Sequence, residues 1–152
     1  MKRAAVLFMM LVSAVFAFGT ENTDEITNAK LFLENEEYSV VYDILSGVKE
    51  KNEEGCILMG EACEKLEKYD EAMRWYREAA AINNGNLQAR LYIVRLYLDS
   101  PLKNEKKAKK ELNQIYAENK DPKVRKVIKS LLTKTDKKIE QNDKYEASAS
   151  MT

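Results

Sequence analysis

Cys56 and Cys63 are the most reactive side chains in this sequence, and both fall in one predicted helix. Residues seven apart on an α-helix share a face and are separated by a rise of about 10.5 Å. Because a disulfide needs Cα atoms within about 7 Å, the two thiols are not expected to pair with each other. We interpret them as small buried apolar residues, with an intermolecular disulfide as the alternative.

Two acidic pairs, Glu36-Glu37 and Glu53-Glu54, are the other candidates for chemistry, as a general acid and base. Both pairs fall at predicted helix ends, where carboxylates are usually solvated. The chain has no His, no Cys-x-x-Cys, no glycine-rich phosphate loop and no Gly-x-Ser-x-Gly motif. We therefore predict a protein that is not an enzyme and has no catalytic residue, no cofactor, no metal site and no small-molecule substrate.

The first 19 residues have the pattern of a secretory signal peptide. Lys2 and Arg3 precede an apolar run over residues 4–18, and cleavage after Ala17 or Gly19 would leave small residues at the required spacing. The run is shorter than the roughly 20 residues that span a bilayer, so an uncleaved membrane anchor is the less favoured alternative. The predicted location is the periplasm or the extracellular space.

The composition favours a single all-α domain. A chain of 152 residues is long enough for one core, and its 5 Gly and 2 Pro leave few positions that would break a helix. No stretch alternates apolar and polar residues with a period of two. We therefore predict an all-α fold with almost no strand.

A helix hairpin over residues 59–83 is the best-defined unit of the chain. Gly60, Ala72 and Ala79 are small where two helices would touch, and Asp70 is predicted to cap the second helix. The same pattern recurs 31 residues upstream and 36 residues downstream. The predicted organisation is hairpins at about 24–52, 53–86 and 87–121, a capping helix at 122–134 and a disordered polar tail at 135–152, with a helix that continues to about Gln141 as the alternative for the start of the tail.

The central hairpin resembles a tetratricopeptide repeat. Met59-Gly60 stands where that family has Leu-Gly, and the stretch from Tyr69 to Ala72 matches its Tyr-x-x-Ala turn. Tyr76 and Ala79 follow as the aromatic and the small residue of the second helix. The mean spacing of the hairpins is near the 34 residues of that family.

The sequence also departs from the family pattern. Cys56 and Cys63 replace the usual aromatic residues of the first helix, and Asn84 stands where Pro is common. The resemblance nevertheless implies a solenoid of three helix hairpins closed by a C-terminal capping helix, in which neighbouring hairpins cover each other's apolar faces.

The resemblance also implies a binding surface. In that family the first helix of each hairpin lines a concave groove that takes an extended peptide or a partner helix. The implied function is an exported scaffold or adaptor for a protein or peptide. The implied groove residues are Ile26, Lys30, Leu33, Ile57, Glu61, Glu64, Leu91, Tyr92, Arg95 and Leu98. Lys30 and Arg95 are of the type that grips a C-terminal carboxylate in some members, but the accompanying Asn residues are absent, so this use is not expected.

Charge is divided between the two parts of the chain although the net charge is zero. Residues 20–100 contain 17 acids and 9 bases, whereas residues 101–152 contain 8 acids and 14 bases. The alternative function is therefore an envelope-associated structural protein that contacts an anionic surface through its basic C-terminal part. Nucleic acid is not expected as a partner, because the signal peptide predicts export.

Overall fold

The computed structural model describes residues 22–149. The predicted signal peptide lies outside the described residues. The described part contains seven α-helices and no strand, which confirms the predicted all-α fold. The helices are α1 (Asn22–Glu34), α2 (Tyr38–Gly47), α3 (Glu53–Lys65), α4 (Tyr69–Ile82), α5 (Leu87–Asp99), α6 (Glu105–Glu118) and α7 (Pro122–Ala149). None of these seven helices is long and apolar enough to cross a membrane.

The helices pair as three hairpins, α1–α2, α3–α4 and α5–α6, and α7 packs on the third. The first two hairpins turn in the same way. Glu36 and Glu67 adopt positive φ angles of 62° and 60°. The next amide in each turn donates to a carbonyl five residues back, from Glu37 to Phe32 at 2.9 Å and from Lys68 to Cys63 at 2.8 Å. This bonding closes a helix end in the left-handed conformation, so the two hairpins repeat at the level of the backbone.

Asparagine caps start three of the helices. The side chains of Asn52, Asn86 and Asn104 accept hydrogen bonds from backbone amides in the first turns of α3, α5 and α6, at 2.8 to 2.9 Å. The predicted cap at Asp70 is wrong, because α4 begins at Tyr69 and Lys68 holds the cap position without a side-chain bond. Asp70 lies in the first turn instead, where its charge suits the helix dipole.

The core runs through the stack as a chain of buried side chains. One cluster joins the first two hairpins to α5, and a second joins the third hairpin to α7. The predicted small positions lie inside it, since Ala72 and Ala79 are fully buried and Gly60 faces the ring of Tyr76. Each hairpin thus covers the apolar face of the next, as stacking of repeats requires.

Both cysteines are core residues, as predicted. Cys56 is 1% exposed, Cys63 is 0% exposed, and neither forms a disulfide within the chain. Burial raises the pKa of each thiol to about 11. An intermolecular disulfide would require the core to open, because neither sulfur reaches the surface.

The end of the chain differs from the prediction of a disordered tail at 135–152. Helix α7 continues to Ala149. Thr135 is 1% exposed, Asp136 forms an ion pair with Lys109 at 2.7 Å, and Asn142 donates to Glu105 at 3.0 Å. Polar contacts therefore hold the second half of α7 against α6. A hydrophobic pattern does not reveal such contacts, which is why the sequence suggested disorder.

Candidate functional site

The first helices of the three hairpins line one continuous depression, which we call the central groove. Its larger part, of about 600 Å³, lies between α1 and α3 and reaches α5 at Gln88. Its smaller part, of about 260 Å³, is lined mainly by α3 and α5 and reaches α2 at Tyr38. Leu33 and Glu61 line both parts, so the two parts are contiguous.

Seven of the ten residues that the family resemblance implies line the central groove. Helical spacing brings them to one face: Ile57, Glu61 and Glu64 follow each other on α3 at steps of four and three residues. The seven residues are Lys30, Leu33, Ile57, Glu61, Glu64, Tyr92 and Arg95.

The other three residues lie elsewhere. Ile26 is 3% exposed and packs in the core beside Gly55. Leu91 and Leu98 pack against the apolar cluster that joins the third hairpin to α7. The physical reason is that this side of α5 belongs to the apolar cluster, which also contains Ile128 of α7, whereas a helical wheel alone would leave that side open.

The structure adds lining residues that the resemblance did not single out, such as Tyr38, Asn52 and Gln88. Gln88 precedes Tyr92 by one helical turn, so helical spacing alone would have placed it on the same face. Tyr38 and Asn52 lie at a helix start and in a connection, and no periodic pattern covers those positions.

A hydrogen-bonded network orders the floor of the central groove. Glu64 accepts a bond from the Tyr76 hydroxyl at 3.0 Å and one from Arg95 at 2.6 Å. The Tyr92 hydroxyl donates to Glu61 and accepts from Gln88. Three helices thus meet in this network: Tyr76 belongs to α4, Glu61 and Glu64 belong to α3, and Gln88, Tyr92 and Arg95 belong to α5.

Aromatic contacts support the same network. The rings of Tyr76 and Tyr92 lie 4.8 Å apart between centroids, and the guanidinium of Arg95 lies 4.6 Å from the centre of the Tyr92 ring. A cation over an aromatic face and a tilted ring pair are both favourable contacts. Arg95 is therefore held from two sides, by the ring of Tyr92 and by the carboxylate of Glu64.

The network shifts the pKa values of its members. Burial, followed by the charge of Glu64, raises the pKa of Tyr76. Burial and the bond to Glu61 raise the pKa of Tyr92. Burial is the largest single influence on Arg95 and lowers its pKa, but the hydrogen bond that Arg95 donates to Glu64 and the nearby negative charges together outweigh burial, so the pKa of Arg95 is raised. Both hydroxyls therefore stay protonated and Arg95 stays charged over the physiological range.

The central groove carries more negative than positive charge. Its bases are Lys30, Lys65 and Arg95, and Lys30 forms an ion pair with Glu54 at 2.9 Å. Its acids are Glu34, Glu53, Glu54, Glu61 and Glu64. The excess lies between α1 and α3, where Leu33 and Ile57 supply apolar surface next to the carboxylates.

The groove lining has the chemistry of a binding surface. It combines aliphatic, aromatic and charged side chains, and the two thiols of the described residues lie in the core and do not line it. Within residues 22–149 no group of three or more His, Cys, Asp or Glu side chains is arranged to hold a metal ion.

Comparison with known proteins identifies the repeat. The family model for the tetratricopeptide repeat matches residues 45–131, which is more than half of the chain. None of the curated proteins matches the chain. Repeats of this kind generally mediate interactions between proteins, and the three hairpins with their central groove have the architecture that this role requires. On the strength of the family match and of the repeated hairpins, the chain belongs to the tetratricopeptide repeat family.

Proposed function

We propose that this protein is an exported adaptor without enzymatic activity, which binds a segment of a protein or a peptide in the central groove. The observation that carries the proposal is the groove itself, a depression of about 600 Å³ that brings Leu33 and Ile57 together with Lys30 and Glu61. A surface of this mixed chemistry suits a segment that presents both apolar and charged side chains.

The charges of the groove indicate how the bound segment would be arranged. An aliphatic side chain would lie against Leu33 and Ile57, and a Lys or Arg would lie near the acidic excess at Glu34 and Glu61. At the other part of the groove, Arg95 keeps 47% of its side-chain surface exposed and is available to an acidic group of the partner. The acidic excess at one part and the exposed guanidinium of Arg95 at the other would set the direction in which the segment binds.

The network around Tyr92 and Arg95 supports the proposal energetically. Ordering a long side chain on binding costs roughly 0.5–1.5 kcal/mol. Arg95 is already held by Glu64 and by the Tyr92 ring, and Tyr92 is held by Glu61. A partner would therefore meet donors and rings that need little further ordering.

Export is part of the proposal and depends on the first 19 residues. Fractionation of the producing cell and N-terminal sequencing of the mature protein would test it. The expected result is a chain outside the cytoplasm that begins at Phe18 or Thr20. A chain that keeps Met1 and stays in the cytoplasm would exclude export without bearing on the groove.

The groove is tested by site-specific photocrosslinking in the producing cell. A photoreactive residue replaces Gln88, which is exposed and lines the central groove, or Gln114 on α6 as the matched control. The expected result is a protein adduct from position 88 that is absent from position 114.

The partner's segment is then made as a peptide, and its affinity is measured for the wild type, Leu33→Asp and Arg74→Glu, the last an exposed change outside the groove. A Leu33→Asp variant that binds as well as the other two would overturn the proposal.

The alternative function is contact with an anionic surface through the basic C-terminal part. The lysines of α6 give this alternative less support than the central groove gives the adaptor function. Lys106, Lys109 and Lys110 lie together on that helix. Two of them already pair within the chain, Lys106 with Asp143 at 3.9 Å and Lys109 with Asp136 at 2.7 Å. Binding to vesicles that contain anionic lipid, falling steeply with salt, would be the result that favours this alternative.

A further inference from the structure

The two ends of the helical stack carry opposite charge. The first hairpin, α1–α2, contains six acids and one base, and its one base, Lys30, is paired with Glu54 of α3. Residues 122–134 of α7 contain five bases and no acid. The charges at the two ends therefore differ by about ten units over the length of one small domain.

These charges form no ion pairs within the described chain, although the charge of Glu34 acts on Lys30 of the same helix and, after the larger effect of the bond to Glu54, raises the pKa of Lys30. The six acids of the first hairpin form none of the ion pairs found among residues 22–149, and neither do the five bases of residues 122–134. Arg125 alone among the bases is used internally, where it donates to the carbonyls of Tyr116 and Asn119. Each end thus presents charge that the fold does not use. Four of the five bases of residues 122–134 are exposed: Lys123, Lys126, Lys129 and Lys134.

Apolar groups accompany the charges at both ends. The exposed large hydrophobic residues of the described chain are Leu31, Ile82, Val127 and Tyr145. Leu31 is 55% exposed on α1 and Val127 is 57% exposed on α7, and Tyr145 also belongs to α7. Helices α1 and α2 contact each other and the second hairpin, whereas α7 contacts the third hairpin. One side of each end is therefore uncovered, as at any open end of a stack of repeats.

We infer that the basic end of one molecule binds the acidic end of a second copy, so that the stack of helices continues from chain to chain. We call the two surfaces the acidic end (Asp24, Leu31, Glu37, Asp43) and the basic end (Lys123, Lys126, Val127, Lys129). A second copy is the partner that matches both surfaces. Its acidic end carries the charge opposite to the basic end of the first copy, and each of the two surfaces has an exposed aliphatic side chain. An anionic membrane or polymer would engage the basic end and leave the acidic end and Leu31 without a partner.

The contact is of the head-to-tail type. Because the two surfaces differ, a dimer keeps one free end of each kind, and association continues into open chains. Ionic contacts between exposed groups weaken with salt, since the screening length falls from about 10 Å at 0.1 M to about 3 Å at 1 M. The chains are thus expected at low ionic strength and not at high ionic strength. The central groove takes no part in the contact.

Sedimentation velocity of the full chain tests the inference, at about 20 mM and about 500 mM NaCl. At low salt the average mass is expected to rise with protein concentration past that of a dimer of the 17.5 kDa chain. At high salt it is expected to return to that of the monomer. A monomer at every concentration and salt, or association that stops at a dimer, would overturn the inference.

Neutral substitutions at each end locate the contact. The variant Asp24→Asn/Glu37→Gln/Asp43→Asn loses the acidic end, and Lys123→Gln/Lys126→Gln/Lys129→Gln loses the basic end. Each alone is expected to associate at least tenfold more weakly, while an equimolar mixture forms a dimer and nothing larger, because only one pair of complementary ends remains. All six positions are exposed, and circular dichroism checks that the fold is retained.

Two controls separate this contact from general charge effects and from the groove. Lys106→Gln/Lys110→Gln/Lys144→Gln removes the same charge from other exposed positions and is expected to leave self-association unchanged. Gln88→Ala, an exposed and uncharged change in the central groove, is likewise expected to leave self-association unchanged. Equal weakening by the control and by the end variants, or a mixture that stays monomeric, would refute a head-to-tail contact.

Discussion

The ring of Tyr76 lies directly on Gly60. A Cβ atom at position 60 would come within 2.5 Å of Cε1 of that ring. The absence of a side chain lets Tyr76 extend from α4 to Glu64 on α3, where its hydroxyl helps to hold Arg95 beneath the central groove. A packing feature of the hairpin and the order of the groove therefore depend on the same glycine.

The first prediction concerns this contact. Gly60→Ala is expected to lower the free energy of unfolding by about 1–3 kcal/mol, because the added Cβ would overlap the ring of Tyr76, which is fully buried. Chemical denaturation measures the change. Gly47→Ala is the matched control, since a Cβ there meets nothing within 4 Å and the change removes chain entropy from the unfolded state. Equal stabilities for the two variants would contradict the prediction.

The second prediction concerns the hydroxyl of Tyr76. Tyr76→Phe keeps the ring and removes the bond to Glu64, so it is expected to cost about 1–3 kcal/mol in the free energy of unfolding. Tyr145→Phe is the control, because that side chain is 75% exposed and its loss should change stability by less than about 0.5 kcal/mol. If denaturation curves for both variants coincide with that of the wild type, the bond to Glu64 does not stabilise the fold.

The third prediction uses the two buried thiols. In the folded chain burial raises the pKa of Cys56 and of Cys63 to about 11, whereas an unfolded thiol titrates near about 8.5. Above the unfolded pKa the unfolded state therefore loses protons that the folded state keeps. Stability is fully present below about pH 8.5 and falls as the pH rises toward 11, by at most about 1.4 kcal/mol per pH unit for each thiol.

Denaturation at pH 8 and at pH 10 checks this linkage. The variant Cys56→Ala/Cys63→Ala is less stable at pH 8 because it creates cavities, but its stability should fall less between the two pH values. A thiol reagent should also react slowly with the native wild type and rapidly once the chain is unfolded. The same loss of stability between the two pH values in wild type and variant would show that the thiols do not contribute.

The fourth prediction concerns the second half of α7. Deletion of residues 135–152 removes the buried side chain of Thr135 and the contacts of Asp136 and Asn142 with the third hairpin, and it is expected to lower stability by about 1–3 kcal/mol. Deletion of residues 143–152 should cost less than about 0.5 kcal/mol, because the side chains that the structure describes in this stretch, at 143–149, are exposed. Thermal unfolding compares the two truncations. If deletion of residues 135–152 leaves the unfolding temperature unchanged, this part of the helix does not stabilise the stack.

Local patterns predicted the hairpins because each pattern reports on a local physical requirement. Gly60, Ala72 and Ala79 are small because two helices cross there, and apolar positions at steps of three and four follow from the turn of the helix. These requirements involve residues close in sequence. The helical class, the repeat and the burial of Cys56 and Cys63 could therefore be predicted before any coordinates.

Prediction succeeded less well where distant segments meet. The family resemblance implied Leu91 and Leu98 as groove residues, but both pack against the apolar cluster that joins the third hairpin to α7. The polar second half of α7 is held by Lys109 and Glu105 of a different helix, and neither partner is visible in the local pattern. A single-helix pattern gives the face of a residue but not the neighbour that covers that face.

By itself the sequence determined that this chain folds into stacked helix hairpins, because the spacing of small and apolar residues within each hairpin admits no other regular structure. Only the tertiary structure decided that Tyr76 reaches Glu64 across Gly60, and which residues of the first helices remain open in the central groove. It also decided that the acidic and basic parts of the chain lie at opposite ends of the stack. The physical reason is that side-chain spacing is local, whereas burial, pairing and exposure depend on which segments pack together.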